Sequence, residues 1–248
     1  MSVRYELGNG AATLTLDRPE ARNALDMALC DALLAAARRA AADESVRLVL
    51  VRAAGPVFCA GADLKERQGM DEAQVRARRM RAFEAYAALE ALPMPAIAVV
   101  EGPAVGSGCE IAAACDFIVA TPRAAFRTPE ALWGTVGATQ RLPRVLGKRL
   151  AKDLMFTGRA LGAEEAERHG LVARVVPEDQ LETVLAGIAE TISKAPAQSL
   201  ALAKRSIDRG IELDPRGALD SEIAAIEELL GAKGWKDGIA AFGKRGGE

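Results

Sequence analysis

Residues 96–120 read AIAVVEGPAVGSGCEIAAACDFIVA. The runs at 96–100 and 116–120 are β-type and close to continuously apolar instead of alternating, as expected of strands covered on both faces. Helical periodicity fills 107–115 between them. Two buried strands joined through a helix predict an α/β fold with crossover connections. Working outward, further β-type runs lie at Val3 to Leu7, Ala12 to Leu16, Leu48 to Val51 and Val172 to Val176. Helical periodicity occupies roughly 27–42, 71–92, 148–157, 163–169, 178–194, 196–210 and 215–230. From about Lys194 onward only helix is predicted, so the chain divides into a core over 1–195 and a helical region over 196–248. Several boundaries have local causes. Gly170 after His169 suits a left-handed helix cap, Pro196 suits a first helical turn, and Pro93 and Pro95 hold the chain extended before the strand at 96–100.

Composition narrows the function. The 248 residues are half apolar and 27% charged, and 32 basic against 34 acidic side chains leave a net charge of -2. That balance is a poor start for a nucleic-acid binder, which carries a basic surplus or stripe. No run of about 18 apolar residues suggests a membrane span, and the N-terminus moves straight into strand-like alternation with neither a signal peptide's apolar segment nor a presequence's character. Cys30, Cys59, Cys109 and Cys115 form no CxxC pair and read as reduced, buried residues, which favours a cytoplasmic location. The single histidine, His169, removes most metal sites and triads that need a second imidazole; no metal and no other cofactor is expected.

Two glycine-rich turns carry the chemistry. In the stretch 101–110, backbone N–H groups are exposed at a helix N-terminus that favours negative charge. Its spacing GxxxGxG is not the dinucleotide fingerprint GxGxxG, and Val105 stands where a nucleophile elbow needs serine. In Phe58 to Arg67, small residues at 60–62 let a ligand approach the backbone, and Asp63 can equally be a plain helix cap. Glu110 alone reads as well as a first-turn acid pairing with the helix dipole. For Glu130, Thr128 as N-cap and Pro129 at the first position make a good helix start. Together these pieces say more. Two buried strands each lead into a turn with free N–H groups, and two glutamates each open a helix. If the helix starts lie on the same side of one sheet, an oxyanion hole meets a carboxyl pair, which suits chemistry in which a thioester carbonyl becomes an enolate.

The strings RPEARNAL (18–25), FCAGADLKER (58–67), EGPAVGSGCEIAAACDFIVAT (101–121), TPEALWG (128–134) and the segment that begins TQRLPR (139–144) resemble the enoyl-CoA hydratase/isomerase (crotonase) superfamily over nearly the whole chain. The resemblance implies a crotonase-like spiral of ββα units, a C-terminal helical trimerisation region, and homotrimers or homohexamers. It assigns the oxyanion donors to the backbone N–H of Ala62 and Ser107, and acid/base roles to Glu110, on the water, and Glu130, on Cα. It places CoA along Arg22, Ala24, Ala60, Gly61, Asp63, Leu64 and Gly106, with Phe242 and Lys244 as candidates at the C-terminus. Position 107 is usually glycine in the family, and the loop Gly134 to Ala138, which helps seat the water in hydratases, is shorter here by about three residues. Trp133 either packs in the core or lines the acyl pocket. The basic cluster Arg76 to Arg81 reads as a solvated face that can border the acyl channel. The expected reaction is addition of water to a 2-enoyl-CoA thioester, with CoA part of the substrate and no nucleic acid or membrane as partner. The alternatives are double-bond isomerisation, thioester hydrolysis or decarboxylation on the same scaffold, and a catalytically silent binding protein.

Overall fold

The computed structural model describes residues 2–232 and Trp235. In chain order the first half runs β1 (Val3–Gly8), β2 (Ala11–Leu16), α1 (Met27–Ala42), β3 (Leu48–Ala53), α2 (Leu64–Arg67), α3 (Glu72–Glu90), β4 (Ala96–Val100), β5 (Pro103–Val105) and α4 (Ser107–Ala113). It continues with β6 (Phe117–Ala120), β7 (Ala125–Arg127), α5 (Arg141–Thr157), β8 (Leu161–Gly162), α6 (Ala163–Arg168), β9 (Arg174–Val175), α7 (Leu181–Lys194), α8 (Ala197–Gly210) and α9 (Pro215–Gly231).

Six strands form the larger sheet in the order β1-β2-β3-β4-β6-β9. The hairpin β1–β2 is antiparallel and every later pair is parallel, as helical crossovers require. The continuous apolar runs have the predicted cause. On β4, Ala96, Ala98 and Val100 join the core that holds Leu29, Leu33 and Leu89 of α1 and α3, while Ile97 and Val99 face a second cluster with Leu181, Leu185 and Ile188 of α7. A strand with both faces covered has no position where a polar residue is cheap.

A second, smaller sheet of three short strands, β5-β7-β8, lies beside the first. No sequence signal announced it, because two or three residues carry no measurable period. The helix predicted over 148–157 begins at Arg141; Gly147 at φ 72 and ψ 155 interrupts two helical stretches that run on into each other. The predicted strand over 172–176 is reduced to Arg174–Val175. Helices α8 and α9 pack against each other, and α8 is tied to the rest by an ion pair from Lys204 to Asp116 at 3.0 Å. Among the described residues no helix is long and apolar enough to cross a membrane.

Candidate active site

The small sheet, not one face of the large one, brings the two glycine turns together. Strand β5 leads into Gly106 and α4, and its parallel neighbour β7 leads into Glu130. Cys59 bridges Ala104: Val105 N–H donates to Cys59 O at 2.8 Å, and Gly106 N–H donates across to Arg127 O at 2.8 Å. Gly108 makes the approach possible, since a Cβ there would lie 2.5 Å from the carbonyl oxygen of Cys59. The condition read from the sequence, helix starts on the same side of one sheet, is met with the smaller sheet in that role, since β5 and β7 are adjacent and parallel.

Ser107 is the first residue of α4 and its N–H has no intrahelical acceptor. Gly106, the cap before it, has no side chain to offer one. Ala62 bridges Leu25, but the bonds of that bridge use Gly61 O, Leu25 N–H, Leu25 O and Asp63 N–H. Among the described residues neither the Ala62 nor the Ser107 N–H donates to a protein acceptor. The Asp63 carboxylate takes the N–H groups of Lys65 and Glu66 at 3.0 and 3.2 Å, so the cap reading of Asp63 also holds. These bonds, with the Arg18 guanidinium, keep its carboxyl below the usual range even though burial works the other way.

Segment 18–25 is laid against this turn by specific bonds. Ala60 N–H donates to Arg22 O at 3.0 Å and Leu25 N–H to Gly61 O at 2.7 Å. Arg18 spans Asp26 at 2.9 Å and Asp63 at 3.3 Å. Arg22 and Asn23 both sit at positive φ, 53 and 52 degrees.

The glutamates are buried beside the turns. Glu110 is 6% exposed; its Oε2 accepts from Arg141 Nη1 at 2.7 Å, and its Oε1 is buried with no hydrogen-bond partner. Burial pushes the Glu110 carboxyl pKa up, and the Arg141 guanidinium opposes that. Glu130 opens a 3-10 turn, Glu130–Trp133, instead of an α-helix, with Pro129 as its cap. Thr128 does not cap: its Oγ1 is buried and unpartnered, so that expectation is corrected. Oε2 of Glu130 is likewise buried without a partner. Its Oε1 lies so close to Gly106, at φ 51, that a Cβ there would be 2.5 Å away. Burial raises the Glu130 pKa, and the Glu110 charge raises it further.

One cavity of about 430 Å³ touches all of these groups. It is lined by Ala62, Ser107, Glu110 and Glu130, by Arg22, Ala24, Ala60, Gly61, Asp63 and Leu64, and by Gly106 and Trp133. Phe242 and Lys244 lie outside the described residues. Trp133 is 58% exposed at the cavity wall, which rules out the core reading. One lining residue was missed. Tyr86 is fully buried against the cavity; burial pushes its phenol up, and the Ser107 hydroxyl partly offsets this. Arg78 and Arg79 line the cavity, as the bordering reading of cluster 76–81 had it, but Arg78 is not on a solvated face: it is buried and donates to Glu66 at 2.7 Å. Arg79 holds the short loop through the carbonyl of Val136 and the hydroxyl of Thr135. Among the described residues, no group of three or more His, Cys, Asp or Glu side chains is gathered as a metal would need. Two free amides and two buried acids on one cavity can stabilise a developing oxyanion while protons move beside it.

The chain matches the family described as enoyl-CoA hydratase/isomerase over residues 6–247. A Rhizobium meliloti protein named "Probable enoyl-CoA hydratase" is 39% identical over 232 residues, covering 92% of this chain and 90% of that protein. An enoyl-CoA isomerase/hydratase of Mycosarcoma maydis is 36% identical, covering 94% of this chain and 89% of its own length. Among solved structures, an enoyl-CoA hydratase from Bacillus anthracis superposes with a TM-score of 0.95 at 35% identity, covering 99% of this chain and 97% of that one. The match spans residues 6–247, and the chain belongs to the enoyl-CoA hydratase/isomerase family, with the crotonase fold.

Proposed function

We propose that the protein adds water across the 2,3 double bond of an enoyl-CoA thioester. The observation that carries this reading is the pair of buried, unpartnered carboxyl oxygens of two residues that line the same cavity as Ala62 and Ser107, whose N–H groups donate to no protein acceptor among the described residues. Buried polar atoms without partners are rare and call for a ligand or water.

The thioester carbonyl oxygen takes the two amides, which strengthen their hold as it becomes an enolate oxygen. Water attacks Cβ and gives its proton to Glu110, the acid with a cationic neighbour and hence the better carboxylate. Glu130, whose proton is held by burial and by the charge of Glu110, delivers that proton to Cα. The hydroxyl ends on Cβ and a hydrogen on Cα, and proton exchange with solvent restores both acids. The two titrate as a coupled pair. Addition of water is redox-neutral, so the reading requires no cofactor beyond the CoA of the substrate. CoA lies along Arg22, Ala24 and Ala60 to Leu64. Four buried free thiols suit a reducing, cytoplasmic setting.

The test is to mix the protein with short 2-enoyl-CoA esters and follow loss of the conjugated thioester absorbance. Glu110→Gln and Glu130→Gln are each expected to slow that loss by about 100-fold or more. Migration of the double bond with one variant still active favours isomerisation. Binding of CoA without turnover makes the protein a silent member of its family.

A further inference from the structure

Arg141 opens α5 and reaches between two acids of different elements. Its Nη1 donates to Glu110 Oε2 at 2.7 Å, while Nε and Nη2 meet Oε1 and Oε2 of Glu90 at 2.6 and 2.8 Å. The planar fork is therefore held in a bidentate clasp by α3, and one remaining N–H edge points at Glu110. The guanidinium carbon lies 5.4 Å from the centre of the Tyr86 ring, which limits its swing. A free surface arginine loses much rotamer entropy when it forms one bond; a clasped one has already lost it. With Oε2 occupied, Oε1 of Glu110 is left buried and unpartnered. Resting on the hydration reading above, we infer that Arg141 is a positioning residue: clasped by Glu90, it fixes Glu110 so that Oε1 faces the attacking water and supplies the counter-ion for the negative charge there.

The charges around Glu110 agree. Burial raises its proton affinity, Arg141 lowers it by charge and by hydrogen bond, and Glu90 raises it again. Glu130, Tyr86 and the Cys109 thiol also feel the charge of Glu110, each with its own pKa raised first by burial. At neutral pH the tyrosine and the thiol are uncharged, so Arg141 is the cation in this set. The sign of each substitution follows. Removing Arg141 raises the pKa of Glu110, whereas removing the charge of Glu90 lowers it.

The experiment compares Arg141→Gln, Arg141→Lys and Glu90→Gln with the unaltered protein. The pH profile of kcat/KM on a short enoyl-CoA and the carboxylate infrared band of Glu110, assigned with Glu110→Gln, are both recorded. Arg141→Gln is expected to move the acidic limb to higher pH and to cut kcat by ~10-fold or more, with KM changed by less than ~3-fold. Arg141→Lys restores the limb but only part of kcat, because it keeps the charge and loses the fork. Glu90→Gln moves the limb the opposite way, to lower pH, while kcat falls. A residue that merely stabilised the fold would give no such opposition. An acidic limb unmoved in Arg141→Gln, or one that rises in Glu90→Gln, overturns the inference. If Arg141→Gln does not fold, the Lys and Glu90 variants decide alone by the same signs. The infrared titration separates this inference from the reaction itself. A Glu110 band that shifts as stated without any hydration sinks only the hydratase reading; hydration with an unmoved band sinks only Arg141.

Discussion

Oε1 of Glu110 and Oε2 of Glu130 are buried without partners, an arrangement that stability alone would not favour. Burial works against ionisation of Glu130, its own backbone N–H and the charge of Arg79 favour it, and the charge of Glu110 opposes it. The folded pKa of Glu130 therefore stands above the ordinary value of 4.5. A carboxyl that binds its proton more tightly in the folded state contributes stability that is complete below the unfolded pKa and is lost as pH rises through the folded one. Glutamine cannot ionise and escapes that loss. The Tm of Glu130→Gln minus that of the unaltered protein should therefore increase as pH rises above 4.5 and level off once Glu130 is ionised in the folded protein as well. Parallel Tm curves across that range would mean that Glu130 is not held against its charge. Both glutamates could be read in the sequence as helix-opening acids after glycine or proline signals. Their partners could not: Arg141 and Glu90 are 31 and 20 residues from Glu110, and no local pattern connects an arginine after one loop to acids on two helices.

Among elements, the strands that could be read were the long ones. β3, β4 and β6 are apolar on both faces because helices cover both, and that leaves a mark in the sequence. β5 and β7, which lead into Gly106 and Glu130 on the cavity, are three residues each and leave none. The entry segment before α1 is similar: its shape depends on Asn23, which is fully buried at φ 52. Asn23 Nδ2 donates to the carbonyls of Ala54 and Val57 at 2.9 and 2.8 Å, and its Oδ1 accepts from Arg18 N–H at 2.8 Å. Alanine would leave those groups unsatisfied in the interior and would favour positive φ less than asparagine does. Asn23→Ala is expected to cost about 3 kcal/mol in urea unfolding. It should also raise KM for enoyl-CoA more than it lowers kcat, because Arg22, Ala24 and Gly61 shift while the glutamates stay. A variant as stable as the original would show that the loop is held by other means.

At the scale of the whole molecule, the C-terminal helices pose a packing problem. Helix α9 has no buried residue, and α8 buries only Leu202. Yet Ile207, Ile211, Leu219, Ile223, Ile226 and Leu230 are exposed along the pair, Ile211 to 72%. Amphipathic helices owe their stability to a covered apolar face, and a contiguous exposed patch of this kind marks an interface. The sequence disclosed the helices, but among the described residues nothing covers these apolar positions. A second and third copy, as the resemblance to trimeric crotonases implies, would do so, and a net charge of -2 raises little repulsion against association. Light scattering during gel filtration should then give a mass three or six times 26.1 kDa. The double substitution Ile207→Asp and Ile223→Asp, which places charges in that interface, should return the single-chain mass and lower the Tm, since α8 and α9 lose their cover. An unaltered protein that elutes at 26.1 kDa with both helices stable would mean that the face is covered by something other than its own copies.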